Sequence, residues 1–271
     1  MDVTTVTGYR FARCRADLAL GPGETLLGGG TWLFSEPQPD TTGFVDLSTM
    51  GWTPVEADAA GLRIAATCTI ARLVEWSRSS APAEWTALAI VEQAANALLA
   101  SFKVWNTATV GGNVCRSFAA GAMISLAVAL DGEAEIWTPD GGERRVPVGR
   151  LITGNGTNAL APGEVLRAIR LPAHALRSRA VLCKIALAEH GRSGAVVTGR
   201  VDDDGSAVFA VTAATLTPQT WRFGALPGAD ELATAVASAD GYYGDPLGAA
   251  DWRRAVSGVL AERVRSELAA A

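Results

Sequence analysis

Residues 105–113 read Trp105-Asn106-Thr107-Ala108-Thr109-Val110-Gly111-Gly112-Asn113, and this stretch restricts the fold of the 271-residue chain more than any other. A second glycine-rich stretch, residues 27–33, reads Leu27-Gly28-Gly29-Gly30-Thr31-Trp32-Leu33. We call residues 27–33 the first glycine motif and residues 105–113 the second glycine motif. The segments that lead into their glycines, 24–27 and 102–109, are rich in β-forming or apolar residues, so we expect each glycine run to follow extended chain.

Both motifs have the composition of an anion-binding loop. Glycine has no Cβ, so its backbone can approach a ligand closely and can adopt positive φ angles. Successive backbone N–H groups in such a bend form a concave nest for an anion, to which Thr31, Thr109 and Asn113 can add side-chain hydrogen bonds. Two ordinary tight turns would have the same composition. The occurrence of two such motifs favours a bound pyrophosphate over two unrelated turns.

The order of the predicted elements indicates an α+β protein, because strands and helices do not alternate as they do in a doubly wound sheet. We predict strands at residues 24–27, 44–47, 61–66, 133–137, 144–146, 164–171, 180–187, 194–201 and 206–216. We predict helices at residues 69–77, 82–99, 119–130, 230–238 and from 251 onward. The last helix should bury one face, made of Trp252, Val256, Val259, Leu260, Val264 and Leu268. Residues 153–158 are expected to form a loop and residues 173–179 a linker.

Composition and charge exclude several classes of protein. The chain is 49% hydrophobic and 19% charged, which excludes a mainly disordered chain. Its formal net charge of −5 and the lack of a basic stripe argue against nucleic-acid binding. The longest apolar run, residues 119–130, is shorter than the roughly 18 residues that cross a membrane. The N terminus has no basic segment followed by an apolar one, so we expect a cytoplasmic protein that binds neither membrane nor nucleic acid.

Several common cofactor and metal motifs are missing from the sequence. The chain has four cysteines, which are Cys14, Cys68, Cys115 and Cys183. Their wide spacing argues against a zinc ribbon or an iron–sulfur cluster and suits a reducing compartment. His174 and His190 lie at no metal-ligand spacing, and neither a P-loop nor a GxSxG elbow occurs. Residues 154–159 match GxGxx[GA], but Pro162 follows too soon for a helix that could bind a pyrophosphate.

The two glycine motifs resemble the flavin-binding segments of the FAD-binding (medium) subunits of molybdenum hydroxylases. This family includes the medium subunit of carbon monoxide dehydrogenase and the flavin domain of xanthine dehydrogenase. Gly29-Gly30-Thr31 resembles its first segment, and residues 105–113 are similar to its second, Arg-Asn-x-Ala-Thr-Ile-Gly-Gly-Asn. The resemblance covers essentially the whole chain, because it extends to residues 45–48, 61–66, 164–172 and 251–263.

The resemblance implies a PCMH-type fold, similar to that of vanillyl-alcohol oxidase, in which two α+β subdomains enclose FAD. A C-terminal α+β domain of the carbon monoxide dehydrogenase flavoprotein type follows, and the implied divisions are residues 1–56, 57–172 and 173–271. The resemblance implies no catalytic acid–base residue and no metal ligand in this chain. The residues that it implies as FAD-binding are Leu27, Gly28, Gly29, Gly30, Thr31, Trp32, Leu33, Ala108, Thr109, Val110, Gly111, Gly112, Asn113, Leu166 and Lys184.

The resemblance also implies partners and a route for electrons. In this family a large subunit carries molybdopterin and oxidises the substrate, and a small subunit carries two [2Fe–2S] clusters. The FAD takes electrons from the nearer cluster, and they leave to NAD, oxygen, a quinone or another acceptor. We therefore expect this chain to be the FAD-binding electron-transfer subunit of such a complex, which would be a heterotrimer or its dimer.

Several positions near the expected flavin site depart from the family pattern. Ala119 and Ala122 stand where relatives often have Pro and Asp, and Trp105 replaces the usual Arg. Trp32 stands where relatives often have a small or acidic residue, and residues 193–195 lack the acidic and larger side chains that usually precede Ala195. These departures leave two alternatives open, a flavin-free structural or assembly subunit of the same complex and a stand-alone PCMH-fold flavoenzyme.

Overall fold

The strands of the chain assemble into three main sheets and one small hairpin, in a computed structural model that describes residues 3–189 and 191–270. The strands are β1 (Gly8–Phe11), β2 (Glu24–Leu27), β3 (Gly43–Asp46), β4 (Val55–Asp58), β5 (Gly61–Ala65), β6 (Glu133–Trp137), β7 (Glu143–Pro147), β8 (Ile152–Gly154), β9 (Thr157–Asn158), β10 (Val165–Pro172), β11 (Arg179–Ile185), β12 (Ala195–Val201), β13 (Ala207–Thr212) and β14 (Gln219–Phe223). The first sheet is parallel, in the order β1-β3-β2. The second and third sheets are antiparallel, in the orders β4-β5-β10-β6-β7 and β11-β12-β13-β14, and β8 pairs with β9.

Most of the helices lie in the sequence between β5 and β6 of the second sheet and at the C-terminal end. They are α1 (Ile70–Ser79), α2 (Ile90–Ala97), α3 (Phe102–Trp105), α4 (Val110–Arg116), α5 (Ala122–Ala129), α6 (Val148–Leu151), α7 (Ala173–Arg177), α8 (Ala229–Ala237) and α9 (Ala250–Ala270). None of the described helices is both long enough and apolar enough to cross a membrane. Separate antiparallel sheets with grouped helices confirm the predicted α+β class.

α5 is the centre of the main hydrophobic core. All eight of its residues are buried, as the run of small and apolar residues at 119–130 predicts. It packs against α2 and α4 on one side and against β12 and β13 on the other. Because each fully buried large aliphatic side chain contributes roughly 1.5–3 kcal/mol, this core holds the helices of the middle of the chain against the third sheet.

Residues 102–106 are helical, contrary to the expectation from the β-forming composition of residues 102–109, whereas Thr109 is extended and forms an antiparallel bridge with Thr69. The carbonyl of Ser101 accepts hydrogen bonds from the N–H groups of Val104 at 2.9 Å and Trp105 at 3.2 Å, which closes the short helix α3. The glycine pair of the second motif lies inside α4, and the Thr109 side chain caps this helix by accepting a hydrogen bond from Gly112 N at 3.0 Å. Local caps of this kind outweigh β propensity, which is weak and depends on context.

The second glycine motif is fixed to the chain that follows β5. The N–H groups of Val110 and Gly111 donate to the carbonyls of Cys68 and Ala66, at 2.8 and 2.9 Å. A Cβ on Gly111 would lie 2.4 Å from the Cβ of Ala66 and 2.7 Å from its carbonyl oxygen. Only glycine permits this approach, so Gly111 is required by the packing of α4 before any ligand is considered.

Other elements differ from the sequence-based expectation at their limits. The helix predicted from 82 to 99 begins as a 3₁₀ turn at Thr86–Ala89 and continues as α2, which leaves Leu99 60% exposed. Residues 153–158 form the hairpin β8–β9 instead of a loop, and α7 lies within the expected linker at 173–179. The strands β1, β4 and β14 were not predicted, because they are mostly exposed edge strands without a clear apolar alternation.

α9 covers the third sheet with a stripe of apolar side chains. Leu260, Val264 and Leu268 recur every four residues and are buried against β11 and β12. The expectation that Val259 shares this face is wrong, since its side chain is 70% exposed. It lies one residue before Leu260, and one residue turns an α-helix by about 100°.

Arg253 near the start of α9 is completely buried. Its Nη1 donates to the carbonyls of Gly194 at 2.5 Å and Ala213 at 2.8 Å, and its Nη2 donates to Asp245 Oδ1 at 2.6 Å. The guanidinium therefore joins α9 to the start of β12 and to the end of β13. A buried charge is tolerated where its donors are met in this way.

A second buried arginine joins the middle of the chain to the third sheet. Arg200 of β12, whose side chain is 1% exposed, donates to the carbonyl of Ala129 at 2.6 Å and to the carboxylates of Asp131 and Asp202. Asp131 follows α5 and also accepts from Arg222 of β14. Burial opposes ionisation of Asp131, but the hydrogen bonds from Arg200 and Arg222 outweigh it and lower its pKa to about 2.

The three sheets follow one another along the chain. The first uses residues 8–46, the second residues 55–172 and the third residues 179–223. The predicted division at 56/57 falls inside β4, and the division at 172/173 falls at the end of β10. The three segments as separate domains stay a prediction.

The Asp131 network should make stability depend on pH. We expect Asp131→Asn to lower the free energy of unfolding by roughly 2–4 kcal/mol at pH 7, because two arginines lose a charged acceptor. Asn tolerates the positive φ of residue 131, +51°, as well as Asp does. The folded pKa of about 2 lies below the ordinary value of 3.8, so the contribution is present above that value and is lost as the pH falls towards 2.

Urea denaturation of the wild type and of Asp131→Asn between pH 3 and pH 7 measures this contribution. The wild type should lose more stability than the variant as the pH falls, and Asp240→Asn, at an exposed position, should follow the wild type. Parallel curves for the wild type and Asp131→Asn would contradict the role assigned to this carboxylate.

The contact of Gly111 with Ala66 predicts a strong effect of a single methyl group. We expect Gly111→Ala to lower the free energy of unfolding by roughly 1–3 kcal/mol, because the new Cβ overlaps backbone that cannot yield easily. The matched control is Gly258→Ala in α9, where no atom lies within 4 Å of the new Cβ. That change should raise stability by up to about 1 kcal/mol. Equal urea midpoints for both variants would show that the contact is not a constraint.

Candidate functional site

The structure brings the two glycine motifs into direct contact. A Cβ on Gly29 would lie 1.7 Å from the carbonyl oxygen of Thr107, and a Cβ on Gly28 would lie 3.0 Å from Thr109 Oγ1. Residue 29 must therefore be glycine for the two backbones to approach this closely. The site predicted from two separate stretches of sequence is one continuous surface.

The first glycine motif presents a row of unpaired backbone donors. Among the residues that the structure describes, no protein group accepts a hydrogen bond from the N–H groups of residues 28–33. Gly30 has a φ of +69° and turns the chain, so that its carbonyl accepts from Phe34 N at 2.9 Å. All six residues are partly or fully buried. Unpaired N–H groups at such depth are rare without a ligand or water, and a row of them suits an anion.

The second glycine motif contributes an open surface beside this row. Gly112 is exposed, and a Cβ on it would meet only Thr109 Oγ1 within 4 Å. The preceding residues Ala108 and Thr109 are buried. The Ala108 carbonyl accepts a hydrogen bond from Ile70 N at 2.9 Å, which attaches this part of the motif to α1. Asn113 Oδ1 accepts a hydrogen bond from Met123 N at 2.9 Å, which ties α4 to the start of α5. The backbone of Gly112 is therefore accessible to a ligand, whereas Asn113 also has a structural role.

A stack of aromatic and cationic side chains lies against the first glycine motif. The guanidinium carbon of Arg116 lies 4.5 Å from the ring centre of Trp32 and 4.4 Å from that of Phe118. The two rings meet edge to face at 4.7 Å, and Arg192 from the third-sheet segment lies 5.3 Å from Phe118. We call these four residues the Arg116 stack.

The Arg116 stack was not found from the sequence. Trp32 was predicted as a site residue, but Arg116, Phe118 and Arg192 were not, because only the folded chain brings them together. Arg116 lies one helical turn after Asn113, so the signal was available only if residues 110–116 were recognised as a helix.

Leu166 and Lys184 have protein contacts of their own. Leu166 of β10 is 3% exposed and belongs to the main core. The Lys184 ammonium donates to the carbonyl of Asn96 at 2.9 Å, and next to it Ser193 Oγ donates to the carbonyl of Ala97 at 2.9 Å. Both donors hold the end of α2. A role of Leu166 or Lys184 in cofactor binding stays a prediction.

The positions that depart from the family pattern are mostly buried. Ala119 and Ala122 are 7% and 1% exposed, and the N–H of Ala119 donates to Asn155 Oδ1 at 3.0 Å. The indole N–H of Trp105 is buried and has no acceptor in the described part of the chain. The structure thus replaces an expected Pro and an expected Asp by small apolar packing next to the start of α5.

The described chain has no group of side chains that could form a metal centre, and its large arginine-lined cavity lies away from this site. Across residues 3–189 and 191–270, no group of three or more His, Cys, Asp or Glu side chains is arranged to hold a metal ion, and His190 lies outside that range. A cavity of about 1040 Å³ lies elsewhere, between the second sheet and β14, and is lined by Arg63, Arg145, Arg170 and Arg222 among others. It contains none of the predicted site residues.

The residues present fit a dinucleotide such as FAD. The unpaired N–H groups of residues 28–33 match the acceptor oxygens of a diphosphate, and the bare backbone of Gly112 leaves room for close approach. The Arg116 stack supplies flat apolar surfaces and positive charge at the same place.

Solved structures of known function share this fold. A chain of reconstituted CO dehydrogenase from Oligotropha carboxidovorans is 21% identical, with a TM-score of 0.85 over 98% of this chain and 99% of that chain. A chain of quinoline 2-oxidoreductase from Pseudomonas putida 86 is 20% identical, with a TM-score of 0.81 over 97% and 96%. A chain of carbon monoxide dehydrogenase from Hydrogenophaga pseudoflava, in a form that lacks the Mo-pyranopterin moiety of the molybdenum cofactor, is 20% identical, with a TM-score of 0.80 over 95% of each chain. These likenesses confirm the predicted fold.

The family follows from the sequence itself. A search of curated protein sequences finds no match. Residues 11–174, however, match the family described as the FAD binding domain in molybdopterin dehydrogenase. This match includes both glycine motifs and more than half of the chain, so the chain belongs to the family of FAD-binding domains of molybdopterin dehydrogenases, which are oxidoreductases.

Proposed function

We propose that this chain is the FAD-binding electron-transfer subunit of a molybdenum hydroxylase complex. The observation that carries the proposal is the row of unpaired N–H groups at residues 28–33, held against the second glycine motif by the contact of Gly29 with Thr107. Family membership supports FAD as the ligand of this surface. Bound FAD would supply the redox chemistry, since it can exchange electrons singly and in pairs.

The chain's own residues bind and orient the cofactor. The N–H groups of residues 28–33 hold the diphosphate, and the backbone of Gly112 lies open beside them. The rings of Trp32 and Phe118 form an apolar surface next to the first glycine motif. Arg192, from the segment between β11 and β12, lies over the ring of Phe118.

The proposed partners are a large subunit with molybdopterin and a small subunit with [2Fe–2S] clusters. The four cysteines of this chain are not clustered, so the chain itself does not supply the ligands of an iron–sulfur cluster. The large apolar side chains of Leu99 and Phe102, which follow α2, are exposed. Leu187 is also exposed, and it lies between Lys184 and Ser193, whose side chains donate to carbonyls at the end of α2. Exposed apolar surface of this kind is typical of subunit interfaces.

The proposed subunit composition, localisation and electron acceptors are those predicted from the sequence. The complex would be a heterotrimer or its dimer in the cytoplasm, and its electrons would leave to NAD, oxygen, a quinone or another acceptor. A flavin-free assembly subunit is the competing function, and it is favoured by Ala119 and Ala122, which replace the Pro and Asp that are frequent in the family. The unpaired N–H groups of residues 28–33 argue against it, because buried N–H groups are rarely left without an acceptor.

Co-purification tests the proposed function directly. The chain is expressed with its genomic neighbours, the visible spectrum of the purified complex is recorded, and the released cofactor is identified by chromatography. We expect one FAD per chain and iron–sulfur absorbance in the complex. A colourless chain that still assembles would indicate a scaffold, and a flavin-bound chain without partners would indicate a stand-alone flavoenzyme.

A substitution of Gly112 should weaken FAD binding while leaving the stability of the folded chain nearly unchanged. We expect Gly112→Ala to raise the Kd for FAD about tenfold, because the new methyl group occupies the open backbone surface. Its free energy of unfolding should change by less than about 1 kcal/mol, because the new Cβ, 2.8 Å from Thr109 Oγ1, strains this cap while the replacement of a helical glycine by alanine offsets the strain. Quenching of flavin fluorescence gives the Kd, and Gly258→Ala is the matched control. Unchanged FAD affinity in Gly112→Ala would remove Gly112 from the site.

A further inference from the structure

Arg116 places a positive charge where the two glycine motifs meet. It is the last residue of α4, one helical turn after Asn113 of the second motif. Its guanidinium carbon lies 4.5 Å from the ring centre of Trp32, which belongs to the first motif. Neither glycine motif contains a Lys or Arg of its own. Arg116 is therefore a cation contributed to this surface by the helix that the second motif begins.

The Arg116 side chain lacks the hydrogen-bond and ion-pair partners that the buried Arg200 and Arg253 have. Its Nε is buried and has no hydrogen-bond partner among the described residues, and no carboxylate there forms an ion pair with it. Arg200 and Arg253, by contrast, donate to carbonyls and carboxylates. Burial without a partner is costly for a charged group, so the surroundings of Arg116 favour an anion that binds there.

The neighbouring groups allow an anion at this position. Phe118 lies on the guanidinium at 4.4 Å, and Arg192 lies beyond Phe118. Burial lowers the pKa of Arg116, and the Glu36 carboxylate nearby opposes this by favouring the charged form. The two aromatic rings fix the guanidinium without using its N–H groups, which leaves these groups free for a ligand.

We propose that Arg116 is a cofactor-binding residue that donates to the diphosphate of FAD, with Trp32 and Phe118 holding its guanidinium in position. The inference rests on the proposed function and extends it. The N–H groups of residues 28–33 supply neutral donors, and Arg116 supplies the opposite charge that these donors lack. A planar guanidinium suits a diphosphate better than an ammonium does, because it can donate two parallel hydrogen bonds.

Binding of FAD and of riboflavin to the cofactor-free full-length chain tests the proposal, because riboflavin has the flavin ring and no phosphate. The variants are Arg116→Gln, Arg116→Lys and, as a control with the same loss of charge, Arg72→Gln at an exposed position on α1. The Kd values of both ligands are measured by fluorescence at several salt concentrations. Thermal unfolding of each variant is recorded alongside.

We expect Arg116→Gln to weaken FAD binding by about tenfold or more, as the loss of a charge-assisted hydrogen bond does. Riboflavin binding should stay within about twofold, and the salt dependence of FAD binding should become shallower. Arg116→Lys should keep most of the salt dependence, and it tests the charge even if Arg116→Gln fails to fold. Arg72→Gln should match the wild type for both ligands.

Two results would overturn the proposal. Equal losses for FAD and riboflavin in Arg116→Gln would show that Arg116 only supports the aromatic rings. Unchanged FAD affinity with an unchanged salt dependence would show that it does not contact the diphosphate. A wild-type chain that binds no FAD at all would instead contradict the proposed function, and with it this inference.

Discussion

One backbone contact controls the rest of the site, namely the approach of Gly29 to the carbonyl of Thr107. Any side chain at residue 29 would begin inside that carbonyl oxygen, so the two glycine motifs can meet only as bare backbone. A second contact of the same kind, between Gly111 and Ala66, fixes the second motif to the end of β5. The chain that follows β2 and the chain that follows β5 thus approach each other at the site as bare backbone. This leaves the N–H groups of residues 28–33 facing away from protein acceptors.

The sequence was most informative where the physical signal is local. The Thr69 cap of α1, the buried run of α5 and the hairpin β6–β7 follow from capping, hydrophobicity and turn chemistry. The two glycine motifs were recognised, but their contact could not be foreseen, since it depends on chain far apart in sequence. Residues 102–109 were misjudged because Phe, Val, Trp and Thr favour strands until a cap such as Ser101 closes a helical turn. Arg116 was missed for a related reason, since its role depends on which side chains surround it.

This protein surrounds the same charge differently in three buried arginines and in the partly buried Arg116. Arg200 and Arg253 are surrounded by carbonyl and carboxylate oxygens and act as internal cross-links. Arg167 of β10 lies 4.3 Å from the ring centre of Trp52, with Nε and Nη1 unpaired in the described structure, and burial lowers its pKa to about 10. Its neighbours are indole rings of the core between the first and second sheets. Arg116 shares this lack of partners but stands at the edge of the glycine motifs, where a ligand can reach it.

The position of Arg253 has a consequence for the order in which the protein is made. The carbonyls of Gly194 and Ala213 bury their oxygens against a donor that lies some forty to sixty residues further along the chain. A ribosome therefore synthesises β12 and β13 before Arg253, whose guanidinium satisfies these two carbonyls. Buried acceptors without a partner are unfavourable. The third sheet should accordingly reach its full stability only after residue 253 has been added to the chain and α9 has packed against the sheet.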